Sequence, residues 1–230
     1  MSRTELSYAR AVKLLLIKDI RLELRSKQTL MTMLLFGGVL TMMYAIGFET
    51  DPGTNRKVFP GVVWGALLFT GALGVGRTFA RENAAGAFEA IILSRVPRSA
   101  LLWSKLLINV LLISLVMTVV VPLFAVMLRV DLSGCEAVLA LQVLVGAIGF
   151  SAVATPLSVI ATSARFPEVL LPMVIFPLVT PVLIAGVKGT GVLMGTAIGD
   201  NPWGWLSFSA SFAVVFLAIG VLLFDRLVTE

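Results

Sequence analysis

The stretch Gly76–Ser99, GRTFARENAAGAFEAIILSRVPRS, decides how this chain is organised. It separates two long uncharged runs and is rich in charge, although only 13% of the 230 residues are charged. Its charged residues are Arg77, Arg81, Glu82, Glu89, Arg95 and Arg98. This much charge is too costly for lipid, whereas Phe88, Ile91 and Ile92 are too apolar for a plain solvated loop. The pattern indicates a segment outside the membrane that contacts another surface.

The composition of the whole chain is typical of a membrane protein. Hydrophobic residues make up 58% of it and the mean hydropathy is +1.00, whereas soluble domains are about 45–50% apolar. The formal net charge is +5, but the basic residues lie in short segments between apolar runs. That placement indicates membrane topology and argues against binding of nucleic acid by this chain.

Six uncharged runs are long enough to cross a bilayer, which requires about 20 apolar residues in a helix. The runs are Gln28–Phe48, Val58–Gly76, Leu106–Leu128, Ala137–Ala164, Val169–Val187 and Asn201–Phe224. The expected fold class is therefore an all-α integral membrane protein with six transmembrane helices. The expected domains are an N-terminal helix at 1–27 and a six-span membrane domain at 28–230, with the segment 77–99 outside lipid.

The distribution of Lys and Arg predicts the orientation of these spans, because basic residues are enriched on the cytoplasmic side. Fourteen basic residues lie on the side of the N-terminus, in segments 1–27 and 77–105 and at Arg165 and Arg226. Four lie on the other side, namely Arg56, Lys57, Arg129 and Lys188. Both termini and the segment 77–99 are thus expected in the cytoplasm. In this count Lys105 belongs to a loop, directly before the third run.

The segment from Glu5 to Lys27 has the period of an amphipathic helix. At about 100° per residue its apolar side chains fall in one arc, interrupted by Lys13 and Glu23 and by Lys27. The basic side chains opposite this arc are Arg10, Lys18, Arg21 and Arg25. Such a helix is typical of one that lies among anionic lipid headgroups. The same charges also suit an anchor that only fixes the topology.

Three prolines, Pro172, Pro177 and Pro181, lie inside the fifth run. Each removes a backbone hydrogen bond that lipid does not replace, so the freed carbonyls must face protein or water. A helix broken at Pro177 and Pro181 would suit the wall of a cavity or a gate, which makes the three prolines gate candidates. The alternative is a kinked helix that only packs against its neighbours, since proline is common in membrane helices.

The chain offers no constellation of residues for catalysis or metal binding. It has no histidine and a single cysteine, Cys135, which excludes a histidine general base, an intramolecular disulfide and most zinc sites. The six runs contain no Asp, Glu, Lys or Arg, so an intramembrane proton relay is not expected. The energy for any transport must therefore come from a partner.

One motif resembles a nucleotide site but lacks its context. The stretch Gly71–Thr78, GALGVGRT, has the spacing of a phosphate-binding loop, yet a span precedes it where that loop requires a strand. Its small residues more readily allow close packing of helices, as do Gly61 and Gly65 at their four-residue spacing. The chain is therefore not expected to bind or hydrolyse ATP itself.

The charged stretch is interpreted as a docking site for a protein. Arg77–Ala85 can continue the second helix out of the membrane, Gly86 interrupts it, and Ala87–Ser94 can form a short helix. Apolar side chains with a charged rim are typical of protein interfaces. The candidate docking residues are Arg81, Glu82, Gly86, Phe88, Glu89, Ile91 and Ile92. The alternative is a surface helix that rests on lipid headgroups.

Four short motifs, taken in order, resemble a known family. They are IRLELR at Ile20–Arg25, FPGVVW at Phe59–Trp64, Gly86 followed by Phe88 and Glu89, and PLVTPVLIAG at Pro177–Gly186. With its interfacial helix and a cytoplasmic coupling helix between spans two and three, the chain resembles the type-2 ABC exporter permeases. Within that class it resembles the CcmB cytochrome c maturation permeases over essentially its whole length. The family usually has a more acidic run before Gly86, where this chain has Glu82 alone.

The resemblance implies a permease subunit in a bacterial inner membrane, serving haem export or haem-chaperone release in cytochrome c biogenesis. It implies three partners: an ABC ATPase subunit (CcmA-like), a haem-handling membrane subunit (CcmC-like) and a second copy of the chain. ATP would then act only through the ATPase, and haem would be a transported ligand rather than a bound cofactor. Because methionine can ligate haem iron, Met31, Met33, Met42 and Met43 are candidates for haem contact. Their alternative role is packing.

Two other functions fit the same sequence. A type-2 ABC permease for a lipid, a drug or a glycan would have the same fold and a different substrate. A non-transporting membrane scaffold would instead position haem-ligating partners. In each case the chain is a membrane subunit and not an enzyme.

Overall fold

The computed structural model describes residues 8–47, 51–84, 97–162, 167–197 and 201–227. Within these ranges the chain forms helices and no strand. The helices are α1 (Tyr8–Ser26), α2 (Gln28–Gly47), α3 (Pro52–Ala84), α4 (Arg98–Met127), α5 (Glu136–Thr162), α6 (Pro167–Leu193) and α7 (Pro202–Leu227). The described part of the chain is therefore all-α, as the uncharged runs predict.

Six of the helices in the described ranges, α2 to α7, are long and apolar enough to cross a membrane. Each predicted run falls on one of them, which confirms the prediction of a six-span membrane protein. The side of the bundle that carries α1, the end of α3 and the start of α4 is called the α1 side. The start of α3, the end of α4 and the start of α5 lie on the opposite side.

The length of α3 carries it beyond the membrane on the α1 side. Its 33 residues correspond to about 50 Å, whereas the hydrocarbon core of a bilayer is about 30 Å thick. The apolar span ends at Arg77 and the helix continues to Ala84. This confirms that the second transmembrane helix continues beyond its apolar run, as predicted.

α6 is one continuous helix although Pro172, Pro177 and Pro181 lie inside it. The predicted break at Pro177 and Pro181 is therefore wrong. Each proline removes only one backbone hydrogen bond of the helix, and the helix persists because Val179 and Val182 are fully buried against its neighbours. The burial of these side chains stabilises the helix by more than the prolines destabilise it.

The end of α6 lies beyond the predicted end of the fifth span. The helix ends at Leu193 rather than Val187, so Lys188 belongs to the helix and not to a loop. Gly195 then adopts φ 63°, a conformation that favours glycine. The N–H groups of the next two residues donate to the carbonyl of Gly191 at 2.8 and 3.1 Å, which satisfies an acceptor that the helix end leaves open.

The core lies where α3 meets α4, α5 and α6. α3 and α5 are the most buried spans, and α2 and α7 are the most exposed. Large side chains that are fully buried include Phe59, Trp64, Phe124 and Phe150. α3 therefore forms the centre of the bundle.

Close approach of the helices depends on glycines other than the predicted pair. A Cβ at Gly61 or Gly65 would meet no atom of the described residues within 4 Å, so these two glycines do not pack against another described helix of the same chain. A Cβ at Gly71 would lie 2.8 Å from the ring of Phe150 on α5. A Cβ at Gly74 would lie 2.8 Å from the sulfur of a methionine on α2. The small residues of GALGVGRT thus pack helices, as expected.

Candidate functional site

The predicted docking segment starts in the described part of the chain and continues outside it. Arg81 and Glu82 lie in the last turns of α3, which ends at Ala84. The other candidate docking residues, Gly86, Phe88, Glu89, Ile91 and Ile92, lie outside the described residues, as does the short helix expected at 87–94. Since α4 begins at Arg98, both ends of the segment join helices on the α1 side.

The first turns of α4 are held by an apolar cluster on the α1 side. Leu101 and Leu102 are buried together with Val159 of α5. Leu15 of α1 and Val221 of α7 pack against them. The helix that follows the docking segment is therefore in contact with α1, α5 and α7 within its first two turns.

An ion pair inside this contact joins α1 to α4. The Nζ of Lys105 lies 2.9 Å from the Oδ2 of Asp19, and Lys105 is 1% exposed. The Oδ1 of Asp19 lies 3.3 Å from the Nζ of Lys18. The sequence assigned Lys105 to a loop, and the structure corrects this by placing it inside the third span, Ser99–Met127. Burial of a lysine in a membrane protein requires such a partner.

The corner between α1 and α2 is fixed by Glu23. Lys27, the one residue between the two helices, has φ 53°, which is uncommon for a residue with a side chain. Its N–H donates to the carbonyl of Glu23 at 2.6 Å. The side chain of Glu23 accepts a hydrogen bond from the N–H of Leu30 at 2.8 Å, which satisfies one of the free donors at the start of α2. Glu23, which seemed to interrupt the apolar arc, thus has a structural role.

A second polar contact lies between the spans. Asn109 of α4 and Thr155 of α5 are both fully buried. The Nδ2 of Asn109 donates to the Oγ1 of Thr155 at 3.0 Å. This pairing removes the desolvation penalty of two polar groups in the apolar core.

On the opposite side, side chains fix the start of α3. The hydroxyl and the N–H of Thr54 donate to Asp51 at 2.8 and 3.2 Å. The hydrogen bond from the Thr54 hydroxyl, followed by that from its N–H, holds the pKa of Asp51 below its ordinary value. Asn55 donates to the carbonyl of Leu128 at 3.0 Å and thereby ties α3 to the end of α4.

The indole of Trp64 lies in a slot between α5 and α6. Trp64 is 1% exposed, and the slot walls are Gly146 and Gly186. A Cβ at either glycine would overlap the indole ring. The Nε1–H of Trp64 donates to the Oγ1 of Thr190 at 3.0 Å. Three helices therefore meet at Trp64, and the two glycines leave room for its indole because they have no Cβ.

Gln142 of α5 completes this group. The hydroxyl of Thr190 is 3.5 Å from the Oε1 of Gln142, which is at the limit of a hydrogen bond. Among the described residues the Nε2 of Gln142 has no hydrogen-bond partner, although the residue is 1% exposed. The amide packs against the backbone of Gly189, where a Cβ would overlap its nitrogen.

Comparison with known proteins places this architecture in one family. The profile of the family described as CcmB protein matches residues 10–226, which includes all seven helices almost completely. The chain belongs to the CcmB protein family.

Three relatives of known name cover most of the chain, and each is called heme exporter protein B. The protein of Pseudomonas aeruginosa is 28% identical over 206 residues, 90% of this chain and 91% of the relative. That of Paracoccus denitrificans is 26% identical over 90% of this chain and 94% of the relative. That of Haemophilus influenzae is 24% identical over 73% of this chain and 75% of the relative.

The motifs that resemble CcmB explain parts of this geometry. Trp64 is the last residue of FPGVVW and Gly186 is the last residue of PLVTPVLIAG, and the two meet in the slot. IRLELR contains Glu23, which caps α2. Two of the sequence motifs therefore form one contact between α3 and α6, and a third fixes the corner between α1 and α2.

The proline candidates of this CcmB-family chain lie along α6 on the α1 side of the slot. Pro177 is exposed, and Pro172 and Pro181 are half-buried. All three are in the helix. Their role in a gate stays a prediction.

The candidate methionines do not converge. Met33 is fully buried and packs beside Gly74, whereas the other three, Met31, Met42 and Met43, are 47%, 59% and 58% exposed. The four side chains therefore do not form one cluster, and their contact with haem stays a prediction. Across the described ranges no group of three or more Cys, Asp or Glu lies close enough to hold a metal ion.

Sequence reasoning missed Lys105, Asp19, Gln142 and Thr190. A signal was present for the ion pair, because Asp19 is an acidic residue in a strongly basic helix. Gln142 was visible as a lone amide inside a long apolar run. Neither signal names the partner, which only the packing of distant helices supplies.

Proposed function

We propose that this chain is the permease subunit of an ABC transporter complex that serves haem export or haem-chaperone release in cytochrome c biogenesis. The observation that carries this proposal is the match of residues 10–226 to the CcmB family. It is supported by relatives named heme exporter protein B that cover most of the chain. The six spans supply the membrane domain that such a subunit needs.

The energy for this activity comes from a separate CcmA-like ATPase. The chain contains no strand, loop and helix arrangement for nucleotide phosphates in its described part, and its GALGVGRT stretch packs helices instead. The ATPase docks on the segment 77–99, whose apolar side chains are framed by charges. A CcmC-like subunit handles the haem, and a second copy of the chain completes the membrane part.

The complex lies in the bacterial inner membrane with both termini of this chain in the cytoplasm. The basic residues support this orientation, fourteen on the α1 side against four on the other. The α1 side is then cytoplasmic, and α1 lies at the cytoplasmic headgroups. This places the docking segment where ATP is available.

The test is cytochrome assembly in cells that lack their own heme exporter protein B. The chain is expressed there with a CcmA-like and a CcmC-like subunit from the same source, and covalent haem on c-type cytochromes is stained after denaturing electrophoresis. We expect haem attachment to return with the active ATPase and to be absent with an ATPase that cannot hydrolyse ATP. The b-type cytochromes, which hold haem without a covalent bond, serve as the control.

Two outcomes contradict the proposal. If covalent haem stays absent although the chain reaches the membrane at a normal level, the substrate assignment is wrong and a permease for a lipid, drug or glycan takes its place. If haem attachment returns equally with the inactive ATPase, the chain is a scaffold and not an ATP-driven permease.

A further inference from the structure

Trp64, Gln142 and Thr190 form a polar group in the half of the bundle away from α1. Thr190 lies within one turn of the end of α6, and Gln142 lies within two turns of the start of α5. Trp64 reaches both from the central helix α3. Each is at most 1% exposed. The group therefore connects α3 to the start of α5 and the end of α6.

The amide of Gln142 is not satisfied in this arrangement. Its oxygen has one contact, 3.5 Å from the Thr190 hydroxyl, and its nitrogen has no hydrogen-bond partner among the described residues. For a buried amide without good hydrogen bonds, the free-energy cost of leaving water is not offset. The packed arrangement is thus destabilised at Gln142.

The end of α6 is rich in glycine and lies against the polar group. It contains Gly186, Gly189 and Gly191 within its last two turns, and glycine weakens a helix through its backbone freedom. Pro181 precedes them and removes one hydrogen bond of the helix. Two of these glycines, Gly186 and Gly189, lie against Trp64 and Gln142, so the polar group contributes to the contacts that hold this end of α6.

We propose that the hydrogen bond between Trp64 and Thr190 holds the end of α6 against α3, a contact called the latch. We further propose that Gln142 is a positioning residue, whose unsatisfied amide lowers the free energy needed to open the latch. When α6 moves away, water reaches the amide and supplies the hydrogen bonds that the closed arrangement withholds. The indole then leaves its slot between Gly146 and Gly186. The opening exposes the slot between α5 and α6 to the side opposite the docking segment. The latch depends on the proposed function in one respect only, because ATP hydrolysis by the partner subunit would supply the energy for the opening.

The first test replaces Gln142 with methionine, which has a similar volume and no amide. Removal of the unsatisfied group should stabilise the closed state and raise the thermal midpoint by about 2–4 °C. The same change should lower covalent haem attachment about tenfold, because opening becomes less favourable. Leu141→Met, at the neighbouring position of the same helix that is 38% exposed, is the control and should change neither quantity.

A merely structural role for Gln142 gives a different result. The midpoint would then rise while haem attachment stayed at the wild-type level, and this outcome would overturn the proposal. A lower midpoint for Gln142→Met would also overturn it, since the amide would then have a stabilising partner in the closed state. The conservative change Gln142→Glu is not a substitute, because it introduces a charge.

The second test reads the opening directly and does not require haem. Ala185, fully buried beside Gly186, is changed to cysteine in a chain that also carries Cys135→Ser. A membrane-impermeant maleimide is added from the side opposite α1. Trp64→Phe removes the N–H donor and keeps a ring, so it should increase labelling of Cys at this position about tenfold without ATP. Ala154→Cys, equally buried on α5, is the control and should stay protected.

The two tests separate the latch from the proposed function. Should Trp64→Phe leave the labelling at position 185 unchanged, the latch is refuted whatever the chain transports. Should labelling increase as expected while no cytochrome acquires haem with the wild-type chain, the latch stands and the haem function fails. With the complete complex, ATP should increase labelling at position 185, and Gln142→Met should suppress that increase.

Discussion

The Nζ of Lys105 lies 2.9 Å from the Oδ2 of Asp19, although the two residues are 86 positions apart in the sequence. Both residues are buried. Lys105 stands two turns after the start of α4, the helix that follows the docking segment. Asp19 lies on α1, whose end is joined to α2 by hydrogen bonds to Glu23. The ion pair therefore connects the docking segment to the first span through two helices.

Removal of Asp19 should cost more stability than removal of Lys105. Asp19→Asn removes the carboxylate that lies 2.9 Å from the buried ammonium of Lys105, which should cost about 3–5 kcal/mol. Lys105→Met leaves Asp19 with Lys18 at 3.3 Å and should cost less. Thermal unfolding of the purified chain in detergent measures both changes, with the exposed Lys188→Met as the control. Equal midpoints for Asp19→Asn and the control would show that the pair does not stabilise the fold.

The cap of α2 should depend on the side-chain oxygen of Glu23 more than on its charge. Glu23→Ala removes the acceptor of the Leu30 N–H and should destabilise the chain by about 1 kcal/mol. Glu23→Gln keeps an acceptor and should lose less than half of that amount. The comparison is made by thermal unfolding at one pH. If Glu23→Gln and Glu23→Ala lower the midpoint equally, the stability depends on the charge of Glu23 and not on the cap.

The slot around Trp64 should reject any side chain on its glycine walls. Gly186→Ala places a Cβ on the indole and should prevent stable accumulation in the membrane, whereas Gly186→Ala with Trp64→Leu should recover part of it. Gly65→Ala should be tolerated, because a Cβ at this position of α3 would meet no atom of the described residues within 4 Å. Protein levels in membranes, measured by immunoblot, decide between these outcomes. Normal accumulation of Gly186→Ala alone would contradict the described slot.

The lone cysteine gives a test of orientation in the natural sequence. Burial, more than the neighbouring Glu136, raises the pKa of the Cys135 thiol above its ordinary value. The thiolate that reacts is therefore scarce at pH 7, and labelling should accelerate as the pH rises towards 9. In intact cells with a permeabilised outer membrane, an impermeant maleimide should label Cys135 from the periplasm. Labelling only after lysis would reverse the proposed topology.

The sequence predicted the six spans and the extension of α3 well, because hydropathy and charge are properties of consecutive residues. It failed at α6, where burial of Val179 and Val182 keeps a helix that three prolines would weaken in isolation. At Gly61 and Gly65 the spacing shows that the two residues share a helix face, but not whether that face meets a helix of the same chain, and here it does not.

The candidate site divides in the same way. The sequence singled out the segments that contain Trp64 and Gly186, but not their contact, because that contact depends on how α3 and α6 pack. The pairing of Lys105 with Asp19 was hidden for the same reason. The docking residues from Gly86 to Ile92 lie outside the described residues, so their role stays a prediction from charge and apolar pattern.

A change at the rim of the docking segment should weaken the ATPase contact in a salt-dependent manner. Glu89→Arg places a charge of opposite sign at the rim and should affect binding less than loss of an apolar side chain. The dependence on salt is measured by co-purification of the ATPase subunit at low and high ionic strength. An effect that does not change with salt would argue against a charge contact at Glu89.

The most direct test of the central claim, that a separate ATPase drives this chain through the segment 77–99, is co-purification of that ATPase with Phe88→Ala. A large apolar side chain at the centre of an interface contributes about 2 kcal/mol or more to binding. Phe208→Ala, at a phenylalanine 49% exposed on α7, is the matched control and should keep the partner. The account predicts loss of the ATPase from Phe88→Ala at a wild-type membrane level. Full retention of the ATPase together with normal cytochrome c assembly would contradict it.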